Sequence, residues 1–187
     1  MNMQRLDPKA SVLVVVDVQE RLASVMPPSE IERLQRAATI LLTAAPLLGV
    51  SVLRTEQYPK GLGPTLPALQ ALLDQAGARS FEKTAFSACD AGGFLGALEA
   101  TGARAAVVVG MEAHICVYQT VRDLVQRGLE VHVPIDGVVS RREDHRDVGL
   151  ALCERAGAVR TTAETVAFDW LGGSGTEAFK AISRVVK

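Results

Sequence analysis

The chain has 187 residues, 48% of them hydrophobic, and a formal net charge of -1. A chain of that length buries roughly 70% of its unfolded surface, so a single domain over residues 1–187 is expected. Lysine and arginine are spread without a basic patch for nucleic acid or an anionic membrane. The apolar runs stop well short of the ~20 residues that span a bilayer, and "MNMQRLDPKA" lacks the pattern of a secretory signal, so a cytoplasmic protein is expected.

In chain order, the first element is "SVLVVV", residues 11–16, an unbroken apolar run of the kind that forms a parallel strand buried on both faces. A long helix follows over residues 29–49, with Ser29 as its expected N-cap, apolar spacing near 3.6 through Ile31, Leu34, Ala38 and Leu41, and Gly49 at its end. Further strands are expected at 50–54, 104–109, 129–133 and 158–161, with a weaker one at 78–82. Helices are expected at 66–76, 91–101, 114–127 and 143–156, and an irregular loop at 56–65, "EQYPKGLGPT". The tail from 172 opens on Gly-Gly-Ser-Gly and ends in a short helix.

Strand and helix alternating through the chain imply parallel connections with crossovers. The expected fold is therefore a three-layer α/β/α, Rossmann-like domain around a mainly parallel six-stranded sheet. In such sheets ligands bind beyond the carboxyl ends of the strands. Asp17 ends the first strand, Lys83 follows the weak one, and Cys116 follows "VVVGMEAHIC".

Each of these three has an ordinary structural alternative: turn former, solvated lysine, small buried hydrophobe. Together they form a consistent chemical set. A thiol at a helix start meets unpaired N–H groups that favour thiolate, a carboxylate can carry its proton, and an ammonium can stabilise both anions. Residues 110–116 would also supply backbone N–H groups for an oxyanion. Cys89 and Cys153 have no charged partner identifiable from the sequence and read as packing residues. Three cysteines without C-x-x-C spacing argue against a disulfide framework or a zinc knuckle.

"VLVVVDVQERL", "RTEQYPKGLGPTLPAL", "EKTAFSA" and "GMEAHICVYQTVRDLVQRGLEVHVPIDGVVSR" resemble, in order and over roughly residues 9–170, the isochorismatase-like cysteine hydrolases, and most of all the branch of isochorismatase domain-containing proteins. The resemblance implies an Asp17, Lys83, Cys116 triad and a non-proline cis peptide at Met111–Glu112 that turns the Glu112 N–H toward an oxyanion beside that of Cys116. It places Gln19, Tyr58 and Phe86 at pocket-lining positions, with ordinary packing as the competing role. His114, in the cysteine loop, either orients substrate or makes a structural hydrogen bond.

Departures from the family pattern also carry information. "RTEQYPKG" has no histidine where nicotinamidases of the family bind metal, so neither metal nor cofactor is expected, and Ala113 stands where many relatives have threonine. No cluster of arginines matches a dicarboxylate substrate. The function implied is hydrolysis of a small amide or related C–N bond through a thioester on Cys116. Ether or imine cleavage, or a non-catalytic or redox-responsive protein of the same fold, are the alternatives. A small-molecule substrate and a homo-oligomer, dimer or higher, are the expected partners. The oligomer is inferred from the apolar faces of helix 114–127 and of the tail, with Phe179, Ile182 and Val185.

Overall fold

The structure is a computed structural model that describes residues 5–187. In order it contains β1 (Ser11–Val16), α1 (Glu20–Ala23), α2 (Pro28–Leu48), β2 (Ser51–Gln57), α3 (Pro59–Leu62), α4 (Pro67–Gln75), β3 (Arg79–Lys83), α5 (Phe94–Ala100), β4 (Ala105–Met111), a π-helical turn (Ala113–Val117), α6 (Tyr118–Gln126), β5 (Glu130–Pro134), β6 (Val138–Val139), α7 (Glu143–Ala156), β7 (Val159–Thr161), α8 (Ala163–Leu171) and α9 (Glu177–Val186). The sheet is parallel, and its strand order is β3-β2-β1-β4-β5-β7, with β6 paired to the end of β4. Helices cover both faces, giving three layers.

The alternation of side chains along a strand explains why β1 is apolar at every position from 12 to 16. Leu13 and Val15 pack with Leu34, Leu41, Val107, Val109 and Trp170 on the face covered by α2, α4, α8 and α9. Val12, Val14 and Val16 pack with Phe94, Val108, Val121, Leu124 and Leu150 on the other. Each fully buried Val or Leu contributes about 1.5–3 kcal/mol of transfer free energy. A polar substitution at any of residues 12–16 would put an unsatisfied group into one core half or the other.

Several expectations are corrected. The sheet has seven strands rather than six, because Val138–Val139 pairs with Gly110 and Met111; two residues are too short to show a period. Ser29 is not the N-cap of the long helix: Pro27 is, and Pro28 opens the first turn, where its missing N–H costs nothing. Gly49 does end that helix, in the left-handed conformation (φ 77). The stretch 56–65 is less irregular than expected, since β2 runs to Gln57 and Pro59–Leu62 forms a helical turn. The expected helix 91–101 is shorter, Phe94–Ala100. The helix Ala163–Leu171 was not anticipated; it buries Val166, Ala167 and Trp170.

The tail buries part of its apolar face within the chain. Ile182 is fully buried in the core half beneath α2, and Phe179 meets Phe168 edge-on within the chain. On α6, Val121 and Leu124 are likewise buried. The protein's own core takes up part of the apolar periodicity of both helices, while Phe179 and Val185 stay half-buried.

The strand order grows outward from β1 toward β3 on one side and from β4 toward β7 on the other, so the direction of winding reverses between β1 and β4. Asp17 and the Cys116 turn follow the carboxyl ends of these two strands.

Candidate active site

Asp17 follows β1 in a left-handed backbone conformation, φ 52. For a residue other than glycine this costs ~1–3 kcal/mol and persists only where neighbours hold it. Here the Asp17 N–H donates to the Thr55 carbonyl at 3.1 Å, and the Asp17 carbonyl accepts from the Gln19 N–H at 2.8 Å. The side chain is completely buried. Its Oδ1 accepts from the Thr55 hydroxyl at 2.7 Å and its Oδ2 from Lys83 Nζ at 2.6 Å.

Lys83 is the last residue of β3, and its side chain has no solvent exposure. Besides Asp17, Nζ donates to Gln57 Oε1 at 2.7 Å and to the carbonyls of Phe86 at 2.9 Å and Ala85 at 3.3 Å. A buried ammonium needs such a shell, because its desolvation alone costs several kcal/mol. The edge strand is thus closed over the site by the loop that follows it.

Cys116 is positioned by the end of β4. Gly110 has φ 135, and a Cβ there would lie 2.0 Å from the Val16 carbonyl oxygen, so only glycine lets β4 pass β1 at this point. The Met111–Glu112 peptide bond is cis. Cys116 then lies in the π-helical turn, whose Ile115 and Val117 N–H groups donate to the Glu112 carbonyl at 3.0 and 3.2 Å. The Glu112 carboxylate is held by Arg141, from its backbone N–H at 3.2 Å and Nε at 3.1 Å. His114 Nδ1 is 3.0 Å from Ser140 Oγ, and its ring lies 4.7 Å from that of His145. On α7, Gly149 lies so close to the turn that a Cβ would be 2.6 Å from Ala113 C and His114 N.

The thiol is not a resting thiolate. Burial pushes Cys116 up to about 12, the Asp17 carboxylate adds to this, and the Lys83 ammonium opposes it. The expected depression by a helix start is overturned because Cys116 is only 6% exposed, and the cost of a buried anion exceeds the benefit of nearby N–H groups. Burial also raises Cys89, and pushes Cys153 up to about 12. Cys89 also has charged neighbours, Arg127, which lowers it, and Asp123, which raises it; what sets Cys116 apart is a fully buried carboxylate–ammonium pair, not its intrinsic acidity.

The remaining sequence candidates fall into two groups. Gln19 is buried and committed to backbone: Nε2 donates to the carbonyls of Gln57 at 3.1 Å and Gly63 at 2.7 Å, and Oε1 accepts from the Gln57 N–H at 2.7 Å. It is a strut between the ends of β1 and β2, with both amide protons spent. Tyr58 and Phe86 are instead 55% and 53% exposed beside the strand ends. Tyr58 lines a cleft of about 350 Å³ with Lys60, Lys83, Thr84 and Asp90. A larger cleft, about 650 Å³, lies at the opposite edge of the sheet among His132, Arg160, Thr161 and Thr165 and shares no residue with this site.

Sequence reasoning passed over Thr55, Gln57, Arg141, Ser140 and Gly149. Only Thr55 and Gln57 left a signal, since the apolar run of β2 turns polar at the carboxyl end of a strand. The stretch after β2 does not suit a metal ion. It has no histidine, and Glu56 Oε1 already accepts from Thr65 N–H at 2.8 Å and Oγ1 at 2.6 Å.

The isochorismatase domain family model matches residues 11–165, over this whole constellation. The chain belongs to the isochorismatase-like hydrolase family. It is 36% identical over 184 residues to isochorismatase domain-containing protein 2 of Bos taurus, covering 98% of this chain and 86% of that protein. Among solved structures it is similar to the MAR1 ribonuclease from Caenorhabditis elegans, with 38% identity, a TM-score of 0.90, and 98% and 92% of the two chains covered. It shares its fold with the nicotinamidase SaPncA from Staphylococcus aureus, at 15% identity and a TM-score of 0.71 over 82% and 99% of the two chains.

Proposed function

We propose that this isochorismatase-family chain is a hydrolase that cleaves a small amide or related C–N bond through a covalent thioester on Cys116, without a cofactor. The observation that carries the reading is the buried pair of Asp17 Oδ2 and Lys83 Nζ at 2.6 Å, whose opposite charges both bear on the Cys116 thiol. A thiol pushed up to about 12 is poorly ionised at neutral pH, so the nucleophile is generated at the moment of attack. Asp17 takes the thiol proton as sulfur adds to the carbonyl carbon, and returns it to the amine as the C–N bond breaks. It then takes a proton from the water that opens the thioester. Lys83 holds a compensating positive charge throughout. The oxyanion is bound by backbone N–H groups of the turn.

Tyr58 and Phe86, exposed at the mouth, suit the flat or apolar part of a small substrate. Ether or imine cleavage would use the same groups with a different leaving atom. RNA cleavage is a separate reading, prompted by the name of the C. elegans protein. It is less favoured, because a net charge of -1 provides little attraction for a polyanion.

The test is a library of small primary and secondary amides screened for amine or ammonia release, with an RNA substrate as a parallel arm. Intact-mass measurement of an acyl adduct completes it. An adduct on the wild type that is absent from Cys116→Ser, with activity that survives chelation, supports the proposal. Turnover that persists in Cys116→Ser, or RNA cleavage without amide cleavage, would overturn it.

A further inference from the structure

We infer that Thr55 is a positioning residue for Asp17, aiming the carboxylate that takes the Cys116 proton; this rests on the reading of Cys116 and Asp17 just proposed. A lysine ammonium is a compact charge with rotatable donors, so the Lys83 contact supplies charge but does not by itself fix the plane of the Asp17 carboxylate. The second oxygen has to be tied separately. The tie is the Thr55 hydroxyl, 2.7 Å from Oδ1, on a side chain only 1% exposed.

Thr55 is suited to this by its place in the sheet. It lies in the register of β2 opposite Val16, the last residue of β1, and its carbonyl accepts the Asp17 N–H at 3.1 Å. One residue therefore holds both the strained backbone of Asp17 and its carboxylate. As a β-branched residue on a strand, threonine has restricted χ1, so its hydroxyl is aimed in advance at little entropic cost. Serine would keep the donor with more freedom, and valine would keep the shape without the donor. The backbone part of the clamp is common to all three.

The consequence is kinetic. Without the hydroxyl, the carboxylate can turn about its contact with Lys83 and present the wrong direction to the thiol, and small misalignments of a reacting group cost large factors in rate.

The experiment is iodoacetamide alkylation of Cys116, followed by peptide mapping from pH 6 to 8 on the full chain. When a neighbouring carboxylate takes the proton from a protonated thiol, the rate is flat over this range. When only free thiolate reacts, it climbs tenfold per pH unit. The wild type is expected to be flat and Asp17→Asn to climb.

Thr55→Val should keep the flat profile with a rate lowered about tenfold, and Thr55→Ser should restore it to within about twofold. In the Asp17→Asn background Thr55→Val should have no further effect. A merely structural role would lower the rate in both backgrounds and would also expose Cys89 and Cys153 to labelling. If Thr55→Val does not fold by circular dichroism, Thr55→Ala provides the same comparison. A flat, unreduced rate in Thr55→Val beside a climbing Asp17→Asn overturns the role of Thr55 alone. An Asp17→Asn profile that matches the wild type overturns the underlying reading of Asp17, and the inference with it.

Discussion

Replacing Lys83 by methionine tests the buried ion pair most directly. Both side chains are fully inaccessible, and methionine keeps the length and apolar stem while deleting the charge and four donated contacts. At the observed 2.6 Å separation and an effective dielectric of about 20, the lost attraction is about 6 kcal/mol. Removing the desolvation of the ammonium returns part of this. The net cost of breaking such a pair from one side is about 3–5 kcal/mol, and the carboxylate of Asp17 is left with the Thr55 hydroxyl as its one side-chain donor. For a chain of this size that corresponds to a melting temperature lower by about 6–20 °C.

Urea unfolding followed by fluorescence of the single tryptophan, Trp170, which is 1% exposed, reads the change in the core itself. The double variant Asp17→Asn/Lys83→Met should be more stable than Lys83→Met alone, because no unpaired charge remains. A Lys83→Met protein within about 1 kcal/mol of wild type, or a double variant equal to the sum of the singles within about 0.5 kcal/mol, would refute the reasoning. In folded Lys83→Met, alkylation of Cys116 by free thiolate should move to higher pH, since the ammonium is what opposes the raised thiol.

Among the three thiols, Cys116 should be labelled first by limiting iodoacetamide near neutral pH, although Cys153 is raised as far, because Cys116 has the buried Asp17–Lys83 pair acting on it; equal labelling of all three by peptide mapping would count against this. Gly149→Ala drives a methyl into the backbone of the cysteine turn and should cost about 1–3 kcal/mol, with a changed Cys116 labelling rate; urea unfolding and mapping that both match the wild type would show that α7 does not bear on the turn. Cys153 holds its proton in the fold up to about 12 against 9.0 unfolded, so its contribution to stability is fully present below pH 9 and is lost as pH rises from 9 toward 12. The urea midpoint of the wild type should accordingly fall more steeply over that range than that of Cys153→Ala, by at most about 1.4 kcal/mol per pH unit. Light scattering should give at least a dimer, whereas a clean 19.9 kDa monomer at micromolar concentration would argue against it.

Much of the architecture was legible because burial on both faces leaves a plain trace: "VLVVV" and "AAVVVGM" have no polar position to confuse the pattern. The edge strand "RSFEK" read weakly because its residues alternate between exposed and buried. β6 was invisible because two residues carry no period, and α8 because its apolar positions are compressed into nine residues.

The site divides in the same way. Asp17, Lys83 and Cys116 could be singled out by residue type and by their place after strands, both of which are local properties. The partners that give them their chemistry are not local: Thr55 lies 38 residues from Asp17, and Lys83 lies 66 residues from it. That Gly149 must lack a side chain to admit the cysteine turn is likewise a fact of packing between distant segments. The state of the thiol was decided at the tertiary level alone. A helix start favours thiolate, but desolvation depends on everything packed around Cys116, and in this fold it prevails, raising the thiol to about 12.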